Sequence, residues 1–499
     1  MEFNLLNFNK EKLSRIKKNL FFLIIICSFI QLIISSFDIK VFYILVLVII
    51  SCLIAINLIT EENLKYYLIP SFIALSLNIS CLLGPLIFKT ILLQKITSNL
   101  NFPLITFYNF TIYQIVIFVS FLSLKYFKIF KFTKKNFLIK LKIFESLSEK
   151  KIIIFLVFIF GIRLYTGYID QGPSQNIDQG NILIRILEGM EKFFYIPILF
   201  FLYNNLRKSA FDNKFIIIFS IYFLYSIFLS LSLNQRSHFF EFLFVILFLV
   251  LISSFYFKFK NKKFIFLIFI LVILIIPYLS KTILVNREFK DELSASDLIS
   301  KSVKKNKYIE YKLKSITDES YTENAIIDRF VLIKYFDRSY SISKDFSDNN
   351  KFALSEFTKS RIISVLPQNF INLFIDGFDK RNYMISMGSF TERINGIKGG
   401  NYAIGSFLME SKLIFGNLNW LVIYFIFLFL FIFLQHFQMV NGNKLIYSYI
   451  PFIQILEIYH LGMSDSIVDF FYIFRAFVQY AILYFLIIIF LKLIKNYES

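Results

Sequence analysis

The sequence has few of the residues that build metal, nucleotide and disulfide sites. Its 499 residues include 3 cysteines, 3 histidines and 1 tryptophan. It contains no Walker-type phosphate loop, no His-Glu-x-x-His sequence and no Cys/His cluster, so we expect no ATPase site, no metal and no other cofactor. Cys27, Cys52 and Cys81 lie in apolar runs without Cys-x-x-Cys spacing, which favours packing roles over disulfide bonds.

Long apolar segments are what the sequence has in excess. The chain is 57% hydrophobic, with a mean hydropathy of +0.65, and runs near the ~20 residues that cross a bilayer recur along it. These features predict an all-α polytopic membrane protein. The formal net charge of +20 would favour nucleic-acid binding in a soluble chain. Here the charge concentrates in predicted cytoplasmic loops, so we expect no nucleic-acid partner.

The apolar runs predict about twelve membrane-spanning helices. The third contains two prolines, and the sixth is short and follows acidic residues. The predicted spans are 20–37, 39–59, 66–88, 102–124, 152–168, 192–204, 215–233, 239–257, 264–280, 418–438, 445–461 and 471–493.

Lysine and arginine placement predicts the orientation of the chain. Basic residues cluster in 1–19, 125–151, 205–214 and 258–263 and in the C-terminal tail, and this number of spans puts all of them on one side. The opposite connections are short or acidic. By the positive-inside rule, both termini are expected in the cytoplasm.

One polar block, residues 281–401, lies between about nine predicted spans and about three more. It is predicted to form a large external loop between spans 9 and 10. The chain is thereby divided into an N-terminal membrane domain (1–280), the external loop (281–401) and a C-terminal membrane domain (402–499). Apolar stretches inside the block, among them 370–375, indicate short packed helices rather than a disordered linker.

A turn between two predicted spans holds the first candidate site residue. In the sequence Asn-Gln-Arg236-Ser, Arg236 is expected at the outer rim of the membrane. An arginine fork binds two phosphate oxygens at once, so Arg236 is a candidate ligand for a lipid pyrophosphate. The alternative is a snorkelling arginine that contacts ordinary head groups.

A glycine-rich segment, 388–418, leads from the polar block into the C-terminal spans. Within it, residues 402–415 are too short to span and predict a re-entrant or interfacial helix. Glu410 on that helix is a candidate general base, because a carboxylate desolvated at the membrane edge suits this chemistry. The alternative is a solvated acid paired with Lys412 or Arg393.

Charged residues also occur inside the predicted spans. Arg163, Glu457 and Arg475 lie within apolar runs. Charge at such depth is costly and is usually paired or lines a cavity. Arg163 and Arg475 are therefore candidate substrate contacts.

The topology and three local features resemble the Wzy-type O-antigen polymerases, which polymerise oligosaccharide repeat units. The local features are the Asn-Gln-Arg236-Ser turn, the passage Tyr402-Ala-Ile-Gly405…Glu410…Phe415-Gly416, and Arg475 early in the last span. The topology covers the whole chain, whereas the local features cover short segments.

The resemblance implies a metal-independent glycosyltransferase of the bacterial inner membrane. Such an enzyme joins polyprenyl-pyrophosphate-linked oligosaccharides into O-antigen or capsule-like polysaccharide on the outer face, and a chain-length regulator protein is a further expected partner. We expect Glu410 to be the catalytic base, with Glu392 as second choice. The expected pyrophosphate or substrate contacts are Arg236, Arg393, Arg475, Arg163, Tyr402, Gly405 and Gly416.

Two other activities share most of these features. An O-antigen ligase uses the same donor with a lipid A core acceptor, and topology barely separates it from a polymerase. A lipid-linked oligosaccharide flippase or other transporter belongs to a different class. Transporters often show internal repeats, whereas no convincing repeat relates the two halves of this chain.

Overall fold

Apolar α-helices make up most of the N-terminal half of the protein. The structure, a computed structural model, describes residues 1–126, 137–145, 147–169, 186–187, 189–232, 237–258, 321–322, 327–397 and 404–496. A short strand, β1 (Glu2–Asn4), comes first. The helices that follow are α1 (Lys10–Ile34), α2 (Ile39–Leu58), α3 (Glu61–Tyr66), α4 (Leu68–Ile91), α5 (Pro103–Tyr126), α6 (Glu149–Ile169), α7 (Ile196–Lys208), α8 (Asn213–Ser232) and α9 (Ser237–Tyr256).

The C-terminal half begins with short helices from the polar block and ends with long apolar ones. The helices of the block are α10 (Ile333–Ser343), α11 (Asp348–Ser364), α12 (Gln368–Ile371) and α13 (Met387–Ile394). They are followed by α14 (Phe407–Phe415), α15 (Asn419–Gln435), β2 (Gln438–Asn441), β3 (Lys444–Tyr447), α16 (Ile450–Ile453), α17 (Ile455–His460) and α18 (Val468–Asn496).

Eight helices within the described residues are long and apolar enough to cross a membrane. They are α1, α2, α4, α5, α8, α9, the continuous stretch Phe407–Gln435 formed by α14 and α15, and α18. Each overlaps one predicted span, which confirms the expectation of an all-α membrane protein with many spans. The predicted span 264–280 lies outside the described residues, as do residues 281–320 of the polar block.

Two further predicted spans are also helical. The fifth, 152–168, corresponds to α6, and the sixth, 192–204, corresponds to the 3-10 turn Glu191–Tyr195 followed by α7. α7 has 13 residues, whereas a helix needs at least ~17 to cross the hydrocarbon. Much of its surface is buried against other helices rather than presented to lipid.

The predicted span 445–461 is not one continuous helix. Its first residues form β3, and the rest divide into α16 and α17, separated at Gln454 with φ −103° and ψ 11°. Pro451 stands in the first turn of α16, where its missing N–H costs nothing. The apolar side chains of both helices are buried, from Ile450 to Ile458. Irregular backbone is tolerated at membrane depth when protein surrounds it in this way.

A small antiparallel sheet closes one end of the helical assembly. Its strand order is β1-β3-β2, with Phe3 opposite Leu445 and Met439 opposite Ile446. Next to the sheet, the backbone N–H of Asn9 donates to the carbonyl of Phe255 at 2.8 Å. We call this end, where β1 meets the last turn of α9, the sheet end.

The described part of the polar block packs on the opposite end, which we call the block end. Asp337 of α10 is fully buried and accepts hydrogen bonds from the backbone N–H groups of Asn101 and Phe102, both at 2.8 Å. These groups precede the first turn of α5, where a carboxylate is favourably placed. The backbone N–H of Leu332 donates to the carbonyl of Ser80 at 3.0 Å. That carbonyl lies in the π-helical turn Ile79–Leu83 of α4.

The segment 402–415, predicted as a re-entrant or interfacial helix, is helical over the 9 residues of α14. Gly416 ends it with φ +54°, a backbone conformation that side-chain-bearing residues rarely adopt. The 3-10 turn Gly416–Leu418 then leads directly into α15. α14 is therefore the first part of a long bent stretch, Phe407–Gln435, rather than a separate re-entrant segment.

Candidate functional site

Glu410 lies at the block end, where three separate segments of the chain meet. Its side chain is 2% exposed. One carboxylate oxygen, Oε1, accepts from the hydroxyls of Thr358 at 2.5 Å and Ser466 at 3.2 Å, and Oε2 accepts from the backbone N–H of Ile467 at 2.8 Å. Burying a carboxylate is costly unless it is hydrogen-bonded in this way. Glu410 thus joins α11, α14 and the turn before α18.

Asp465 directly precedes Ser466, and its carboxylate accepts a second group of hydrogen bonds. It accepts from the backbone N–H groups of Met387 at 2.7 Å, Gly388 at 3.2 Å and Gly405 at 2.5 Å. Arg361 of α11 lies 3.5 Å away through Nη1. Met387 and Gly388 open α13, so Asp465 is an anion at a helix N-terminus. We call Glu410, Asp465, Arg361, Thr358 and Ser466 the carboxylate cluster.

Gly405 permits the close approach of chains at this cluster. A Cβ at Gly405 would lie 2.9 Å from both the carbonyl oxygen of Asp465 and the backbone nitrogen of Gly388. Such distances are too short for a methyl group beside backbone atoms. The glycine therefore has a steric reason at this position, and it belongs to the same site as Glu410.

An apolar cavity of about 900 Å³ lies between the C-terminal end of α11 and the first half of α18. Its walls are aliphatic and aromatic, and Arg475 and Gln479 are its polar side chains. Nη1 of Arg475 donates to the carbonyl of Val365 at 2.7 Å, and the guanidinium lies 5.4 Å from the ring centre of Tyr472. No other hydrogen bond of Arg475 occurs within the described ranges. A guanidinium has five N–H donors, so donors remain for a ligand.

A second, more open cleft of about 480 Å³ lies on another side of α14. Tyr108, Tyr340 and Trp420 line it together with Asn109 and Lys412. The Lys412 ammonium lies 5.9 Å from the ring centre of Tyr340. Lys412 is two residues from Glu410 on the same helix, so the two side chains project to different sides. The helix therefore separates the carboxylate cluster from an aromatic cleft.

Partly buried ion pairs connect the helices around α7. Arg163 pairs with Glu191, and its Nη2 lies 3.3 Å from Nδ1 of His238. Lys192, the residue after Glu191, pairs with Glu241 and with Glu457, the latter at 2.5 Å. Charges inside a membrane protein are stable when paired, as here. The structure therefore supplies partners for Arg163 and Glu457, two of the three charged residues predicted inside spans.

The other residues predicted for the site are not part of the carboxylate cluster. Glu392 is 2% exposed and pairs with Arg338 at 2.6 Å, in the last turn of α13. Arg393 follows it and is exposed. Gly416 ends α14 and has open space around it. Arg236 and Tyr402 lie outside the described residues.

The structure thus brings Glu410 and Gly405 together, and places Arg475 on the neighbouring cavity. Sequence reasoning missed Thr358 and Arg361, which come from a helix far along the chain and carry no local pattern. It also missed Lys192 and Glu241. The local sequence hardly marks these two residues, because each lies near the start of a predicted span, where charged residues are expected.

Comparison of the chain with protein-family models, with curated proteins and with solved structures gave no match. Within the described residues, no group of three or more His, Cys, Asp or Glu side chains is arranged to hold a metal ion.

Proposed function

We propose that the protein polymerises polyprenyl-pyrophosphate-linked oligosaccharide repeat units at the outer face of the bacterial inner membrane. The observation that carries this proposal is the apolar cavity beside α18 with Arg475 in its wall. A polyprenyl chain is a long branched hydrocarbon that needs an apolar channel. Its pyrophosphate needs a cation with several donors, and an arginine fork meets that need.

The proposed reaction demands little covalent chemistry from the protein. An acceptor hydroxyl oxygen bonds to the anomeric carbon of the donor while the bond from that carbon to the pyrophosphate oxygen breaks. The hydroxyl proton passes to a base, and the pyrophosphate leaves as an anion on its lipid. The protein must align the two sugars and stabilise the leaving charge, as Arg475 would do.

Glu410 is the proposed base. Its Oε1 accepts from the hydroxyl of Thr358 at 2.5 Å, so a sugar hydroxyl at the position of the Thr358 hydroxyl would lie within reach for proton transfer. In the proposed complex the sugar hydroxyl takes the place of the Thr358 hydroxyl. The bonds from Ser466 and from the Ile467 backbone keep the carboxylate oriented.

The aromatic cleft supports the proposal from the other side of α14. Tyrosine and tryptophan rings stack against the C–H faces of sugars, and Asn109 and Lys412 supply polar contacts. A cleft of this composition next to the carboxylate cluster would hold a glycan chain. The lipid cavity would lie beside the same cluster, because α11 carries both Thr358 of the cluster and the cavity-lining Ile362.

The proposal is tested on a gel of surface polysaccharide from a strain that lacks the gene, with and without the gene restored. Loss of the ladder with a single repeat retained supports polymerisation. Accumulation of lipid-linked polymer indicates the ligase activity instead. An unchanged ladder rejects the polymerase activity and favours transport.

The role of Arg475 is tested in the same strain with Arg475→Ala and Arg475→Lys. Both variants should shorten or abolish the ladder, because lysine keeps the charge but loses the planar fork. Arg381→Ala is the matched control, since Arg381 is 68% exposed and pairs with Asp379 outside the cavity. Equal ladders from Arg475→Ala and Arg381→Ala would remove Arg475 from the site.

A further inference from the structure

Residues 366–375 of the polar block present an unusual series of exposed apolar side chains. Leu366, Phe370, Leu373 and Phe374 are 43%, 47%, 74% and 73% exposed, and Ile375 is 38% exposed. Contiguous apolar patches are rare on surfaces that face water, and where they occur they mark an interface. We call this series the apolar patch.

The backbone of the patch satisfies its own hydrogen bonds. The N–H of Ile371 donates to Pro367 at 3.1 Å, and the N–H groups of Phe374 and Ile375 both donate to Ile371 at 3.0 Å. Gln368 binds the Asn372 side chain at 2.7 Å. The segment is therefore a compact coil that directs apolar side chains outward, and it can enter an apolar medium without leaving these backbone groups unsatisfied.

The patch is continuous with the lipid-facing side of α18. Leu366 and Val365 line the apolar cavity together with Phe471 and Val478 of α18. On that membrane-spanning helix, Phe471 and Val478 are 40% and 49% exposed, as expected for side chains that contact lipid. The patch therefore begins where the protein's bilayer-facing surface ends, at the block end.

One basic side chain folds back onto the apolar patch. The Lys380 ammonium, five residues beyond Ile375, donates to the carbonyl of Leu366 at 3.3 Å, whereas Arg381 next to it pairs with Asp379. An apolar face with a basic residue at its border is the arrangement of segments that lie in the interface of a membrane, with apolar side chains ~5–10 Å below the head groups.

We infer that residues 366–375 form a membrane anchor that inserts into the adjacent leaflet of the bilayer at the block end. The anchor holds the C-terminal end of α11 against the lipid beside the cavity. This inference is independent of the proposed glycosyl transfer, because it depends only on the apolar patch and on α18 as a membrane span.

The test places a fluorescent thiol label at Phe374→Cys in the full-length protein in lipid nanodiscs. Its quenching by lipids that carry a spin label near the glycerol is compared with quenching by a water-soluble spin label. The matched control is Asp348→Cys, whose side chain is 97% exposed at the other end of α11. That helix of 17 residues is ~25 Å long. Unsubstituted protein gives the background from its buried cysteines.

The anchor predicts that the label at position 374 is quenched more by the lipid-borne than by the aqueous quencher, with the opposite order at position 348. Stronger aqueous quenching at position 374 would overturn the inference. Protection from both quenchers would show that protein covers the patch, which also overturns it. A disulfide between two Phe374→Cys copies would assign the patch to a dimer instead.

Discussion

Substitution of Glu410 separates its proposed role as a base from its role in holding three segments together. Glu410→Ala removes three hydrogen bonds to a buried carboxylate. The hydroxyls of Thr358 and Ser466 can turn to other acceptors, but the N–H of Ile467 is fixed in the backbone. The unsatisfied buried N–H costs about 1–3 kcal/mol, and the cavity left by the truncated side chain adds about 2 kcal/mol or more. Glu410→Ala should therefore reduce both stability and activity.

Glu410→Gln keeps the size of the side chain and one carbonyl oxygen. It should cost less stability, about 1–3 kcal/mol, because one donor faces the new amide nitrogen. A glutamine cannot take a proton, and general-base catalysis contributes about 10²–10⁴ in rate. The glutamine variant should therefore fold and lose polymer formation by at least about 10².

Two measurements on each variant distinguish the roles. The unfolding temperature is followed with a thiol-reactive dye, since all three cysteines are buried in the folded protein. Polymer formation is followed from radiolabelled lipid-linked repeat units. If Glu410→Gln keeps wild-type polymer formation, Glu410 is a structural residue and the base assignment is refuted. If Glu410→Ala leaves the unfolding temperature unchanged, the reasoning about the carboxylate cluster is wrong.

Three further substitutions or probes test other parts of the structure. Gly405→Ala should destabilise the protein by about 1–3 kcal/mol through overpacking, seen as a lower unfolding temperature; an unchanged value would contradict the close approach. Asp337→Ala should lower the free energy of unfolding by about 2–4 kcal/mol, because a helix cap is lost and backbone groups are left unpaired. Asp348→Ala, at an exposed position, should change it by no more than about 0.5 kcal/mol. Equal unfolding temperatures of the two variants would contradict docking of the block through Asp337. Trp420 lines the aromatic cleft and is the only tryptophan of the sequence. Binding of a lipid-linked oligosaccharide should therefore change the tryptophan emission of the protein, whereas the lipid alone should not. Equal changes with both ligands would contradict sugar binding in the cleft.

Hydropathy was sufficient to predict the long spans, because lipid exposure imposes the same apolar composition on each of them. α2 and α8 show this, with apolar side chains around most of their surface. The same measure failed at 445–461. There the composition is apolar because protein buries it, while the chain breaks at Gln454 and pairs as a strand in β3. A hydropathy average records side chains and is insensitive to breaks in the backbone.

The candidate site could be predicted only where a residue carried a local signal. Glu410 and Gly405 lie in one glycine-rich segment, and Arg475 was visible as a charge in an apolar run. Thr358 and Arg361 had no such signal. Their hydrogen-bond partners, Glu410 and Asp465, lie more than fifty residues further along the chain. Long-range hydrogen bonds of this kind follow from the packing of helices and are absent from any local pattern.

The most direct test of the proposed activity uses the purified protein in vesicles supplied with polyprenyl-pyrophosphate-linked repeat units alone. The account predicts products of increasing length, each still attached to one lipid pyrophosphate, and release of lipid pyrophosphate from the donor. Arg475→Ala should abolish this elongation while Arg381→Ala preserves it. Repeat units that stay single in the presence of folded wild-type protein would contradict the proposed polymerase activity.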